Sequence, residues 1–294
     1  MTGLLLWLSK RKAFTALLAA GYFAAAVFPH KEVSRVFDWM AEAFSFKVYN
    51  SALFAIFFSL MIVLWLFILK KIRDGEQRRA KVASWLFTAA LVIASYEVLI
   101  VASVEAIHFI QYAFLVIPVF ALTLRFGDTV FWVTLMGALD EAYQYFVLYT
   151  DNREVYLDFN DIVLNLIGAG IGVVVIFTLS DAAAFACFHE SDSRGSSKTP
   201  LLVTASLLLA GLLLVSGGML TLYPKADASE AQITLSHKPA PSQFWEKPKK
   251  GKPFHILHPA EGIVLAALLI PCYSFMDRVR QSPRTVHSWK TTGL

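Results

Sequence analysis

Eight stretches of this chain stay apolar for long enough to cross a lipid bilayer, and that decides most of what it can become. They cover residues 13–28, 51–69, 82–104, 108–124, 129–149, 162–179, 201–223 and 260–275, close to the roughly 20 residues a helix needs to traverse the hydrocarbon core. A helix satisfies its own backbone where no water is at hand, which makes it the expected spanning form. The expected fold class is all-α: a polytopic helical membrane protein with about eight transmembrane helices. Composition agrees, since 57% hydrophobic and 16% charged residues over a length of 294 exclude a soluble globule, a disordered chain and a disulfide scaffold. The two cysteines, Cys187 and Cys272, both lie in or beside apolar runs.

The net charge of +4 comes from lysines and arginines flanking apolar runs, where they act as topology signals and not as a nucleic-acid surface. No nucleic-acid partner is expected; membrane lipids are. With a cytoplasmic N-terminus, sixteen of the 26 basic residues fall inside, and six of the other ten lie in one loop between Lys225 and Lys252. That favours both termini in the cytoplasm. The first run follows Lys10, Arg11 and Lys12, so a signal anchor or a cleaved signal peptide are both open, and neither changes the direction of the next helix.

Polar segments divide the chain. Residues 1–188 read as a six-helix membrane core, 189–200 as a polar cytoplasmic linker, 201–276 as a two-helix hairpin with a lysine-rich extracytoplasmic loop at 225–256, and 277–294 as a disordered tail. No internal repeat is visible, so the signature of an inverted-repeat transporter is missing.

Ionisable groups within spans cost about 2.5–3.5 kcal/mol each on insertion scales and usually mark function. In this chain they gather on the outer half of the expected topology. His108, Gln111 and Tyr112 open the fourth run; Asp140, Glu141 and Gln144 close the fifth; Arg153 follows in the next loop; and Asp158, Asp161 and Asn165 open the sixth. Asp161, Asn165, Gly168 and Gly172 lie within about 60° of one another on a helix, a stripe of two polar groups above two packing glycines. Gly137, Asp140, Glu141 and Gln144 share a second face.

Gly137-x-x-Asp140-Glu141-x-x-Gln144, then Arg153, then Asp161-x-x-x-Asn165-x-x-Gly168, preceded by His108-x-x-x-Tyr112, resembles the VanZ-like family of bacterial membrane proteins over residues 105–176. That resemblance implies a cell-envelope setting in a bacterial cytoplasmic membrane and a link to low-level teicoplanin resistance. It implies a polar site with His108, Asp140, Glu141 and Asp161 as candidate catalytic groups, and with Tyr112, Gln144, Arg153 and Asn165 as candidate substrate-binding groups. His258 and Glu261, near the start of the last run, are further binding candidates.

Each candidate also has a structural reading. Asp140 and Glu141 fit a structural pairing with Arg153, Asp161 and Asn165 fit helix capping and interhelical bonding, and His108 fits a satisfied interfacial histidine. His255, His258 and Glu261 fit a loop and cap. Glu97, beside Tyr96, is either a further network member or a lone glutamic acid. Tyr143, Tyr145, Phe146 and Tyr149 are expected to form an interfacial belt.

Carboxyls, histidine and arginine at one interface suit phosphate or pyrophosphate chemistry, with arginine neutralising the anion and histidine or a carboxylic acid carrying the proton. The same oxygens could hold Mg²⁺ or Ca²⁺; the metal and any cofactor stay open. The chain carries no His-Glu-x-x-His, Gly-x-Gly-Asp or Gly-x-Ser-Gly element and no P-loop. The expected partner is a lipid-linked cell-envelope intermediate that the site binds or modifies. A non-enzymatic transporter or lipid binder, and a purely structural network, are the alternatives.

Overall fold

The computed structural model describes residues 1–73, 77–150, 152, 155–180, 198–224, 232–239 and 241–280. Ten α-helices are described: α1 (Thr2–Ser9), α2 (Lys12–Val27), α3 (His30–Ala43), α4 (Phe46–Arg73), α5 (Arg78–Val98), α6 (Ile107–Thr123), α7 (Phe126–Tyr143), α8 (Phe159–Leu179), α9 (Thr199–Ser216) and α10 (Pro259–Arg280). Strand structure among the described residues is limited to β1 (Leu220–Thr221) pairing in parallel with β2 (Ile233–Thr234). The protein is an all-α polytopic membrane protein. Among the described residues six helices are long and apolar enough to cross a membrane, or seven if α2 and α3 form one broken span.

Two of the eight expected runs depart from a plain apolar helix. Pro29 has no N–H to continue the ladder of α2, and the chain bends by 44° into α3, whose charged face and exposed Val36 and Trp39 suit a helix lying at a membrane surface. Helix α7 carries Asp128, Asp140 and Glu141 in its 18 residues, so it is held in place by its neighbours and not by hydropathy.

Helix α8 is the centre. Beyond its first two turns it is apolar on nearly every side, and it is buried along nearly its whole length, as expected of a helix surrounded by others. Its glycines admit those others. A β-carbon on Gly172 would lie 2.6 Å from the Ala113 carbonyl oxygen of α6, and one on Gly170 would collide with the Tyr273 ring of α10. The Asp158 side chain caps α8 by accepting from the backbone N–H of Asn160 at 2.8 Å and of Asp161 at 3.3 Å. Helix α2 docks on α6 through the Tyr22 hydroxyl, which donates to the Gln111 carbonyl at 2.9 Å.

The two helices expected as a terminal hairpin differ sharply. Helix α9 has no buried residue and presents leucines on all sides, whereas α10 buries Leu269, Tyr273 and Met276 in the core. Residues 189–197 of the expected linker, Cys187, Arg153 and the tail beyond residue 280 lie outside the described residues. The described part of the 225–256 loop lies across one end of the bundle. Leu157 N–H donates to Leu235 O at 2.8 Å, His237 N–H to Val155 O at 3.0 Å and His255 N–H to Val98 O at 2.7 Å. Buried Asn160 clamps it twice: its amide donates to His255 O at 2.7 Å, and its carbonyl accepts from Leu257 N–H at 2.8 Å. Tyr145, expected in an interfacial belt, is buried instead and donates to Thr234 O at 2.6 Å. The aromatic ring there serves to dock the loop.

Candidate functional site

The start of α6, the end of α7 and the start of α8 meet beneath this loop, and their polar side chains meet with them. His108, one residue into α6, places Nδ1 2.8 Å from Asn165 Oδ1 and Nε2 3.5 Å from Asp161 Oδ2. Asp161 and Asn165, one turn apart on α8, therefore grip both ring nitrogens of one histidine. The close approach rests on Gly168, whose missing β-carbon would lie 2.9 Å from the His108 and Phe109 carbonyl oxygens.

Proton accounting restricts the state of this triad. If Asn165 Oδ1 accepts from Nδ1, then Nε2 and Asp161 can be close only with one proton between them; if the amide is turned over, Nε2 itself carries the proton toward the carboxylate. In both arrangements the His108–Asp161 contact is favourable only when one of the two groups carries a proton. A bare nitrogen lone pair facing a bare carboxylate would be repulsive.

A second group lies on the other side. The Tyr112 hydroxyl donates to Asp140 Oδ2 at 2.9 Å, and the Gln144 amide donates to Asp140 Oδ1 at 3.1 Å and to Glu141 Oε1 at 3.3 Å. Gln144 reaches back three and four residues along the same face of the helix, which continues past Tyr143 as a wider π-turn through Leu148. Asp140, Glu141, Gln144, Tyr112, His108 and Asn165 are all less than 9% exposed. Gly137 joins the two groups: a β-carbon there would lie 2.8 Å from that of Asn165. Asn165 Nδ2 is buried without a hydrogen-bond partner among the described residues, and an unmet buried donor costs roughly 1–3 kcal/mol.

The structure thus brings together His108, Tyr112, Asp140, Glu141, Gln144, Asp161 and Asn165. His258 and Glu261 form a separate turn: Glu261 accepts from the His258 N–H at 2.7 Å and lies 3.2 Å from His255 Nε2, which is the cap anticipated for a helix that begins at Pro259. Glu97 pairs with Lys252 at 3.5 Å, outside the His108 network. His30 joins the site unanticipated. The break at Pro29 turns it toward the bundle, where it is close enough to Asp140 and His108 to interact with both electrostatically and packs its ring edge-on to Tyr149 at 6.2 Å. A histidine directly after a proline that ends an apolar run was the available sign. Among the described residues no three His, Cys, Asp or Glu side chains converge as a metal-binding group.

Just outside the membrane-spanning segment, burial and the neighbouring Asp161 carboxylate push the Asp158 carboxyl up to about 7, against the backbone N–H groups of Asp161 and Asn160 and the charge of His108. The unfolded chain then ionises near pH 4 while the folded one stays protonated, so stability falls as pH rises from about 4 to about 7 and levels off above. Thermal unfolding of the detergent-solubilised protein across that range should show this slope, and Asp158→Asn should flatten it; a wild-type profile that rises with pH would contradict the assignment.

Searches against protein-family models, curated proteins and solved structures found no match. The class of protein that can be stated is the one the fold defines, a multi-pass helical membrane protein with a buried polar cluster at one end.

Proposed function

We propose that this chain is a VanZ-like protein of the bacterial cytoplasmic membrane, with both termini in the cytoplasm. In this reading the polar cluster faces outward, binds or modifies an anionic, lipid-linked cell-envelope intermediate, and contributes to low-level teicoplanin resistance. What carries the reading is the His108 triad: a buried histidine with Asn165 at one ring nitrogen and Asp161 at the other, beside an Asn165 N–H that no described residue meets. Such a pair supplies a proton donor and acceptor, and the open amide supplies a ready contact for an oxygen-rich group.

One observation favours the structural alternative. Both oxygens of Asp140 are already bonded within the protein, as in a network whose task is to hold α6 and α7 together. A resistance assay separates the two. In a teicoplanin-susceptible bacterium, expression of the wild-type chain should raise the inhibitory concentration, and His108→Ala and Asp140→Asn should return it to that of the empty vector at equal membrane abundance. Full protection by both variants would leave the cluster a structural role only.

A further inference from the structure

Between α4 and α5, away from the His108 cluster, runs a groove of about 440 Å³. Phe58 and Trp65 of α4 form one wall, Ala89 and Ile93 of α5 the other, and Ile171 of α8 lies at its depth. The twelve residues from Phe54 to Trp65 rise about 16 Å along a helix, close to the roughly 15 Å of one leaflet's hydrocarbon. The groove therefore matches one acyl chain in length as well as in polarity.

Its outer end is charged. Tyr96 and Glu97 line that end, and the Glu97 side chain is 69% exposed. The outer loop brings Lys252 to the same point: Nζ lies 3.5 Å from Glu97 Oε2 and 4.4 Å from the Tyr96 ring centre, and donates to the Tyr96 carbonyl. Lys252 is fixed there by its own backbone, whose N–H donates to Val101 O, and by Gly251 at φ +103°, where a β-carbon would press on that same carbonyl. A fixed cation and an exposed carboxylate thus stand side by side at the mouth of an apolar slot.

That pair discriminates among head groups. A phosphodiester anion complements Lys252, and a primary ammonium complements Glu97 with three donors. A quaternary ammonium has no N–H to donate, and a head group with net negative charge meets Glu97 unfavourably. We propose that the α4–α5 groove holds an acyl chain of a phospholipid whose zwitterionic, primary-ammonium head group rests on Glu97 and Lys252. This site is independent of the His108 cluster and of any substrate bound there.

Native mass spectrometry of the full-length protein, titrated with phosphatidylethanolamine, phosphatidylcholine and phosphatidylglycerol of identical chains, tests it. One phosphatidylethanolamine should be retained about tenfold more tightly than either of the others. Glu97→Gln, which leaves Lys252 unopposed, should turn the preference to phosphatidylglycerol. Ala89→Trp, which fills the slot, should lower retention of all three, while Asp140→Asn should leave retention unchanged. Equal retention of the three lipids by the wild type, an unaltered preference in Glu97→Gln, or loss of the lipid in Asp140→Asn would each overturn the proposal. Glu97 is exposed at a helix end, so its variant remains informative if Ala89→Trp fails to fold.

Discussion

Asp277→Ala is expected to destabilise the protein by about 3 kcal/mol, because two buried backbone donors lose their acceptor at roughly 1–3 kcal/mol each. The first N–H groups of a helix have no partner within it, and the residue before α7, Arg125, offers no side-chain cap. The missing acceptors come from α10: Asp277 Oδ1 accepts from Phe126 N–H at 2.9 Å and Oδ2 from Gly127 N–H at 3.0 Å. Asp277 is 6% exposed, so little water is at hand to replace it. A carboxylate here also complements the positive end of the α7 dipole. Gly127 admits the approach, since a β-carbon there would collide with the Ser274 hydroxyl. Asp277→Asn keeps one acceptor and should recover part of the loss. Unfolding of both variants in detergent measures this, and an alanine variant within about 0.5 kcal/mol of wild type would mean that α7 is held without its cap.

Asp277 also marks where sequence reasoning stops. It stands beside Arg278 and Arg280 in what reads as the start of a basic tail, and nothing local says that its partners lie on a helix some 150 residues earlier. The spans were legible because hydropathy acts locally and each run carries its own signal. So was much of the cluster: spacings of four and seven residues put Asp161 and Asn165 above Gly168 on one face of α8, and the structure packs that face on His108. What local patterns could not show was pairing between distant segments. Glu97 needed Lys252 from the 225–256 loop, Tyr145 needed Thr234, and His30 needed the bend at Pro29 to turn it toward Asp140. Helix α7 shows the same limit, since it is kept in the bundle by contacts that outweigh its three acidic residues.

Gly168 and Gly172 allow fold and site to be separated. Both face α6, but at different levels. A methyl group at Gly172 would meet the Ala113 carbonyl at 2.6 Å and the Val116 side chain at 2.8 Å, whereas one at Gly168 would meet the carbonyls of His108 and Phe109, both at 2.9 Å. The obstructing atoms include backbone in each case, so the helices must part, and overpacking of this kind costs about 1–3 kcal/mol. Gly172→Ala is expected to lower thermal stability while leaving the first turn of α6 near its place. Gly168→Ala should lower it similarly and also push His108 away from Asn165 Oδ1, now 2.8 Å from Nδ1, without altering any polar atom. Protection against teicoplanin should therefore fall to the level of His108→Ala in the Gly168 variant and persist in the Gly172 variant when both are assayed below their melting temperatures. Equal loss in the two would assign the effect to stability alone. Loss only in Gly168→Ala would tie the phenotype to the position of His108, because a methyl group buried at a helix crossing has no chemistry of its own.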